Sequence, residues 1–194
     1  MIKEAIKKLV AGNDLTFDEA AQVMDEMFSG TATQSQMAAY LTALRIKGET
    51  IDEITASAQV MREKALHIKP NRDVLDIVGT GGDDTGTFNI STTAAFIIAA
   101  AGIPVAKHGN RSMSSKSGSA DCLEQLGINI NISPEKSEEV LNKAGICFMF
   151  AQGYHSSMKY VGPVRKEIGI RNIFNVLGPL TNPAGADLQV TGVY

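Results

Sequence analysis

The sequence predicts an α/β protein, in which a small N-terminal helical bundle is joined to a mostly parallel sheet flanked by helices. Three observations carry that expectation. Over the first seventy residues apolar side chains recur only at helical spacing. After Pro70, short apolar runs rich in β-branched residues alternate with helical segments, as they do in parallel sheets. Two of those runs lead into turns suited to an anion, one rich in glycine and the other in basic and hydroxyl residues.

The helical part is marked by Ile2-Ala5-Ile6-Leu9, Ala20-Val23-Met24-Met27 and Met37-Tyr40-Leu41-Leu44. Three capping boxes punctuate it: Thr16 with Glu19, Thr33 with Gln36, and Thr50 with Glu53. In each, the threonine accepts from a free first-turn amide while the Glu or Gln reaches back. Gly30 and Gly48 stand where helices are expected to end. Residues 1–70 are thus expected to form a helical domain, joined by helices from about 156–178.

The sheet part begins with Val74 to Val78, a buried strand ending in glycines. Ser91 to Ala101 reads as a helix and Ile103 to Ala106 as a second strand. A helix from Ser119 to Leu126 stops at Gly127, and Ile128 to Ile130 reads as a third strand. Ser133-Pro134 starts another helix, with proline at its first position, running to about Ala144. Ile146 to Phe150 follows as a fourth strand, and Leu188 to Tyr194 as a last one. Residues 71–155 and 186–194 are accordingly expected to share an α/β domain. The chain stops inside an apolar β run, which would leave pairing groups exposed, so a piece of a longer protein is expected.

With 194 residues, 44% of them hydrophobic and 20% charged, the chain has an ordinary globular composition. A net charge of −3 speaks against a nucleic-acid partner, a class that usually presents a basic face. The longest apolar stretch, Ala94 to Ala101, is far shorter than a membrane span. The N-terminus carries charges throughout and does not read as a signal peptide. Cys122 and Cys147 have no metal-ligand spacing and are expected to be reduced thiols in a cytoplasmic protein.

The first strand runs into Gly79-Thr80-Gly81-Gly82-Asp83-Asp84-Thr85-Gly86-Thr87, then Phe88-Asn89-Ile90-Ser91-Thr92 and an apolar helix. Glycines allow positive φ and close approach of the backbone, and free amides at a helix start favour phosphate. A dinucleotide fingerprint from Gly79 would need glycine where Asp84 stands, and a Walker A loop from Gly81 would need lysine where Thr87 stands. The turn taken alone favours phosphate, with a plain strand–helix connection as the alternative. The second strand leads into Lys107-His108-Gly109-Asn110-Arg111-Ser112-Met113-Ser114-Ser115-Lys116-Ser117-Gly118-Ser119, a basic loop leaving the same sheet edge. No acidic residue lies between Asp84 and Asp121. His67 and His155 read as surface or packing residues, and Asp83 and Asp84 as either turn formers or metal contacts.

Gly79 to Asp83, Asn89 to Thr92, Lys107 to Arg111 and Gly178 to Pro183 together resemble the signatures of the anthranilate phosphoribosyltransferase family. The likeness extends over essentially the whole chain, in order, including the helical segment. It implies a nucleoside phosphorylase/phosphoribosyltransferase-like fold, with the helical domain hinged to the α/β domain, and a homodimer joined through the helical domains. It implies two small-molecule substrates, anthranilate and phosphoribosyl pyrophosphate (PRPP), with Mg²⁺ as cofactor, and neither nucleic acid nor membrane as partner. By position, PRPP would be held by Gly79, Gly82, Asp83, Thr87, Asn89, Ile90, Ser91 and Thr92, with Ser91 on one Mg²⁺. Lys107, His108, Gly109, Asn110, Arg111, Ser112, Met113, Ser114, Ser115 and Ser119 would surround its pyrophosphate. Gly79, Asn110 and Arg165 would face anthranilate, Arg165 pairing with its carboxylate.

The implied reaction displaces pyrophosphate from the ribose C1 through a transition state with oxocarbenium character. Such a reaction needs leaving-group stabilisation more than a strong base, so no acid/base pair is expected, and Lys107 and Arg111 are the expected transition-state stabilisers. Family members carry a downstream Asp-Glu pair for a second Mg²⁺, and this chain ends before it. Two alternatives stand beside this reading. A pyrimidine nucleoside phosphorylase has a similar fold, but its lysine-histidine-serine-threonine glycine loop is absent at Gly79. The other is a non-catalytic protein that keeps the fold.

Overall fold

The computed structural model describes residues 1–81, 87–112 and 117–193. The chain divides into two compact units, Met1–Lys64 with Ser156–Thr181, and Ala65–His155 with Asn182–Tyr194.

The helical unit contains α1 (Ile2–Val10), α2 (Phe17–Phe28), α3 (Gln34–Lys47) and α4 (Ile51–Glu63), and later α9 (Met158–Ile168) and α10 (Phe174–Leu180). All three capping boxes form, each threonine Oγ1 accepting at 3.3 Å from the amide three residues on. The apolar stripes converge on one core, where Val23, Met24, Met27, Tyr40 and Leu44 are fully buried. Val161, Val164, Ile173, Phe174 and Leu177 from the later helices complete that core. Glu53 is buried among these apolar groups and fully bonded. Its carboxylate accepts from the Leu15 amide at 2.9 Å, the Thr50 amide at 2.7 Å and Lys47 Nζ at 2.9 Å.

The α/β unit contains β1 (Leu75–Gly79), α5 (Ile90–Ala100), β2 (Val105–Gly109), α6 (Ser119–Gln125), α7 (Pro134–Ala144), β3 (Ile146–Phe150), a single-turn α8 (Ala151–Tyr154) and β4 (Leu188–Gly192). The strands form one parallel sheet in the order β3-β2-β1-β4. Parallel neighbours need crossovers, and α5 supplies the one between the two central strands. α5 packs Ala95 against Ile77 and Val105, while α6 sets Ala120 and Leu123 against Phe150.

Two expectations are corrected here. Ile128 to Ile130 is not a strand. Gly127, at φ 80°, ends α6 in a Schellman turn: the Ile128 amide donates to Leu123 O at 3.0 Å and the Gly127 amide to Glu124 O at 2.9 Å. The Asn129 side chain then takes the Asn131 amide at 3.0 Å. The local alternation of Ile and Asn has strand period, but these backbone groups are used in turns. Ile130 serves instead as an apolar anchor beside Leu123 and Phe150. The second correction concerns β2, which runs over Val105–Gly109 rather than 103–106. Lys107 and His108, expected in the loop, pair with Phe148 and Met149 of β3 and are buried.

Candidate functional site

The glycine-rich turn leaves β1 at Gly79, which is exposed at the carboxyl end of a central strand. Gly81 turns the chain at φ 65°, a conformation that side chains rarely adopt. The Thr80 amide is tied to Gly192 O at 3.0 Å, while Thr80 Oγ1 is buried with no partner among the described residues. Gly82 and Asp83 lie outside the described residues. The chain resumes with Thr87 exposed and Asn89 at the N-cap of α5. Helices α2, α3, α4 and α7 are capped by their own Thr or Ser, but Asn89 makes no side-chain cap bond. The Ile90 amide is taken by Phe88 O at 2.7 Å, and the Ser91 and Thr92 amides have no side-chain cap among the described residues, with the helix dipole favouring an anion there. Ile90 is exposed, the Ser91 hydroxyl is half-buried in that turn and Thr92 is buried beneath it.

Beside this turn the sheet divides. β1 pairs with β4, and β2 with β3, over five residues each, but β1 and β2 share a single register pair, Leu75 with Val105. Side chains take up the backbone groups freed where the strands part. Lys107 Nζ donates to Ile77 O at 2.5 Å, Asp76 Oδ1 accepts from the His108 amide at 3.3 Å, and Asn182 Nδ2 donates to Ala106 O at 2.9 Å. Asp76 Oδ2 accepts from Gln189 Nε2 on β4 at 3.2 Å. Burial draws the Lys107 ammonium down to about 8, against the opposing pull of the Asp76 charge. Lys107 thus meets the protein backbone in this structure, with 4% of its surface exposed. The His108 ring is buried against His155, with ring centroids 5.1 Å apart. His155, expected at the surface or as packing, is a packing residue here.

The basic loop starts at Gly109, where a Cβ would collide with Ser119 Oγ and come within 2.7 Å of the Phe148 ring. Asn110 is exposed, its Oδ1 taking the Arg111 amide at 2.8 Å and its carbonyl taking Ser119 Oγ at 3.2 Å. Arg111 is held by acidic neighbours: NH1 and NH2 contact Glu124 at 2.6 and 2.9 Å, and NH1 contacts Asp121 at 2.9 Å. Its guanidinium lies 5.5 Å from the Phe150 ring centroid. Ser112 and Gly118 close the stem of the loop through Asp121, whereas Met113, Ser114 and Ser115 fall outside the described residues. Both expected stabilising cations, Lys107 and Arg111, are engaged by partners within the protein.

Residues 71–194 match the model of the "Glycosyl transferase family, a/b domain", and residues 3–65 that of the "Glycosyl transferase family, helical bundle domain". The chain belongs to this glycosyl transferase family. Within the family it is similar to the anthranilate phosphoribosyltransferase of Ruminiclostridium cellulolyticum, at 61% identity over all of this chain and 57% of that one. The crystal structure of anthranilate phosphoribosyltransferase from Thermus thermophilus superimposes with a TM-score of 0.91 at 48% identity, covering 98% of this chain and 58% of that one. The Saccharomyces cerevisiae anthranilate phosphoribosyltransferase in complex with PRPP and Mg also gives 0.91, at 27% identity, covering 100% of this chain and 58% of that one. The chain therefore spans somewhat over half the length of these relatives.

The family fold bears on two further features. In the helical unit the Arg165 guanidinium sits 5.0 Å from the Phe174 ring centroid, and its Nε has no partner among the described residues. Burial pulls Arg165 down to about 10, which still leaves it charged at neutral pH. For Mg²⁺, no cluster of three or more His, Cys, Asp or Glu among the described residues makes a metal cage. The half-buried Ser91 would supply one hydroxyl oxygen to an ion that arrives with phosphate, since Mg²⁺ usually keeps several waters and substrate phosphate oxygens rather than an all-protein cage. Sequence reasoning missed Asp76, Asp121, Glu124 and the pairing of His108 with His155. Asp76 alone left a trace, as a charge inside an apolar strand run.

Proposed function

We propose that this chain carries the PRPP-binding part of an anthranilate phosphoribosyltransferase. The reaction transfers the 5-phosphoribosyl group of PRPP to the amine of anthranilate, giving N-(5-phosphoribosyl)anthranilate and pyrophosphate in tryptophan biosynthesis. The observation that carries the reading is the start of α5, where Asn89 makes no side-chain cap bond, on the connection that leaves the carboxyl end of a central strand at Gly79. The names of the relatives support the substrates.

In this reading the amides of Ser91 and Thr92 and the nearby hydroxyls bind phosphate oxygens, and Ser91 Oγ is the protein ligand of Mg²⁺. The ion supplies neutralisation of the departing pyrophosphate when bound. Gly79 leaves room for both substrates, and Asn110, exposed in the same unit, orients anthranilate. As the amine nitrogen bonds to C1, the C1–oxygen bond to pyrophosphate breaks and the nitrogen sheds its proton to solvent. Positioning and charge stabilisation then supply most of the rate. Lys107 and Arg111 have protein partners in this structure, so in this reading phosphate falls to the Ser91 and Thr92 amides and the nearby hydroxyls. The whole protein is read as cytoplasmic, and no described helix is long and apolar enough to cross a membrane. A homodimer through the helical unit is supported by exposed Val10, Ile46 and Ile51 on that unit.

The test is calorimetric titration of the chain with PRPP, with and without MgCl₂, beside Ser91→Ala. Mg²⁺-dependent binding, weakened roughly 10-fold or more by the substitution, is expected. Inorganic phosphate binding without PRPP binding, together with phosphorolysis of a pyrimidine nucleoside, would overturn the reading in favour of a phosphorylase.

A further inference from the structure

Asp121 stands at the third position of α6, and three donors converge on its carboxylate. Oδ2 accepts from the Gly118 amide at 2.8 Å and the Ser112 amide at 3.2 Å, and Oδ1 accepts from Arg111 NH1 at 2.9 Å. Arg111 and Ser112 lie on the incoming side of the basic loop and Gly118 on the outgoing side, so one side chain ties both together. Two more bonds close the same stem, from Ser119 Oγ and the Ala120 amide to Asn110 O, at 3.2 and 3.3 Å. The two sides pass so closely that a Cβ at Gly118 would run into the Ser112 amide and sit 2.7 Å from Arg111 C and 2.8 Å from Asn110 O.

The charge of Asp121 works against an anion site. A carboxylate beside residues that receive phosphates repels them and competes for Arg111. Its presence there calls for a geometric reason, and the three converging donors provide one. A carboxylate accepts from three donors at once, which neither an amide nor a hydroxyl of the same size does. The bond from Gly118, with those from Ser112 and Arg111, also holds the Asp121 carboxyl below the usual range, so the acceptor stays ionised.

We propose that Asp121 is a positioning residue for phosphate recognition: it pins the stem of the basic loop and thereby sets Asn110, Arg111 and Ser112 against Ser119. The proposal rests on the reading of this edge as a PRPP site. Asp121 touches no substrate, and its effect passes through the backbone it ties.

The sign of the effect separates this role from plain electrostatics. Asp121→Asn removes a negative charge, so a site governed by charge alone would bind PRPP more tightly. Positioning requires the opposite, because the amide group cannot accept from all three donors. The experiment is titration of the chain with Mg²⁺-PRPP for wild type, Asp121→Asn and Gly118→Ala, with the Ser112 and Gly118 amide resonances followed by NMR without ligand. Expected are displaced amide signals in both variants and affinity lower by roughly 10- to 100-fold, as for misplacement on the ångström scale. Gly118→Ala changes no charge, so a matching loss there ties the effect to the stem. Displaced amides with unchanged or tighter binding would overturn the proposal. A wild-type chain that ignores Mg²⁺-PRPP would instead sink the functional reading, and that is seen before any substitution is made.

Discussion

At the residue scale the most informative side chain is Lys107. Its type and place in a basic loop suggest a phosphate ligand, yet it lies in β2 and donates to Ile77 O across the gap between the central strands. Sequence cannot show that β1 and β2 part after one register pair, so it cannot show that a long side chain is needed there. The buried lysine makes stability depend on pH in a defined direction. Its folded value of about 8 lies below the unfolded value of about 10.4, so between them the unfolded chain binds more protons. Stability contributed at this site is therefore lowest below pH 8 and rises towards pH 10, by up to about 3 kcal/mol. Urea unfolding at pH 7 to 10.5, wild type minus Lys107→Met, isolates that rise. Parallel pH dependences for the two proteins would show that the ammonium is not desolvated. Asp76 and Asn182 follow the same logic, each satisfying a backbone group that a regular ladder would have paired.

At the scale of elements, local signals were read well where the bond lies within one turn of chain. The three capping boxes are of this kind, since threonine and Glu or Gln are three residues apart whatever the fold does. They are not equal, however. Glu19 and Gln36 lie towards the surface, whereas Glu53 is buried and also serves the Leu15 amide and Lys47. Removing an N-cap hydroxyl costs about 1 kcal/mol in general and up to about 2 kcal/mol. Thr16→Ala and Thr33→Ala are expected near the lower figure, and Thr50→Ala near the upper, in chemical denaturation. Equal losses at all three would show that the Glu53 hub is insensitive to its cap. The failed strand at Ile128–Ile130 is the converse case. A period of two marks a strand only if a neighbour accepts its backbone bonds, and here the Schellman turn and Asn129 take them.

For the whole molecule, the core of the helical unit joins segments far apart in the chain. Val161, Val164, Ile173, Phe174 and Leu177 arrive about a hundred residues after α4 and share one apolar cluster with α1 to α4. A fragment ending at Lys64 keeps every local helix signal but lacks that part of its core. It is expected to retain helical far-UV circular dichroism, bind a hydrophobic dye and melt without cooperativity. A sharp thermal transition like that of the whole chain would show that α9 and α10 are dispensable to the core.

The sequence by itself determined the α/β class and the capped helices, and marked the glycine-rich and basic turns as candidates for a site. Each rests on spacing within a few residues, where propensity, capping and glycine conformations act directly. The tertiary structure alone decided the rest. It set where β1 and β2 separate, turned Lys107 inwards, brought Asp121 and Glu124 onto Arg111 and seated His155 against His108. Those contacts depend on which backbone groups the sheet leaves unpaired and on which helix returns beside which strand, and no short stretch of sequence encodes either.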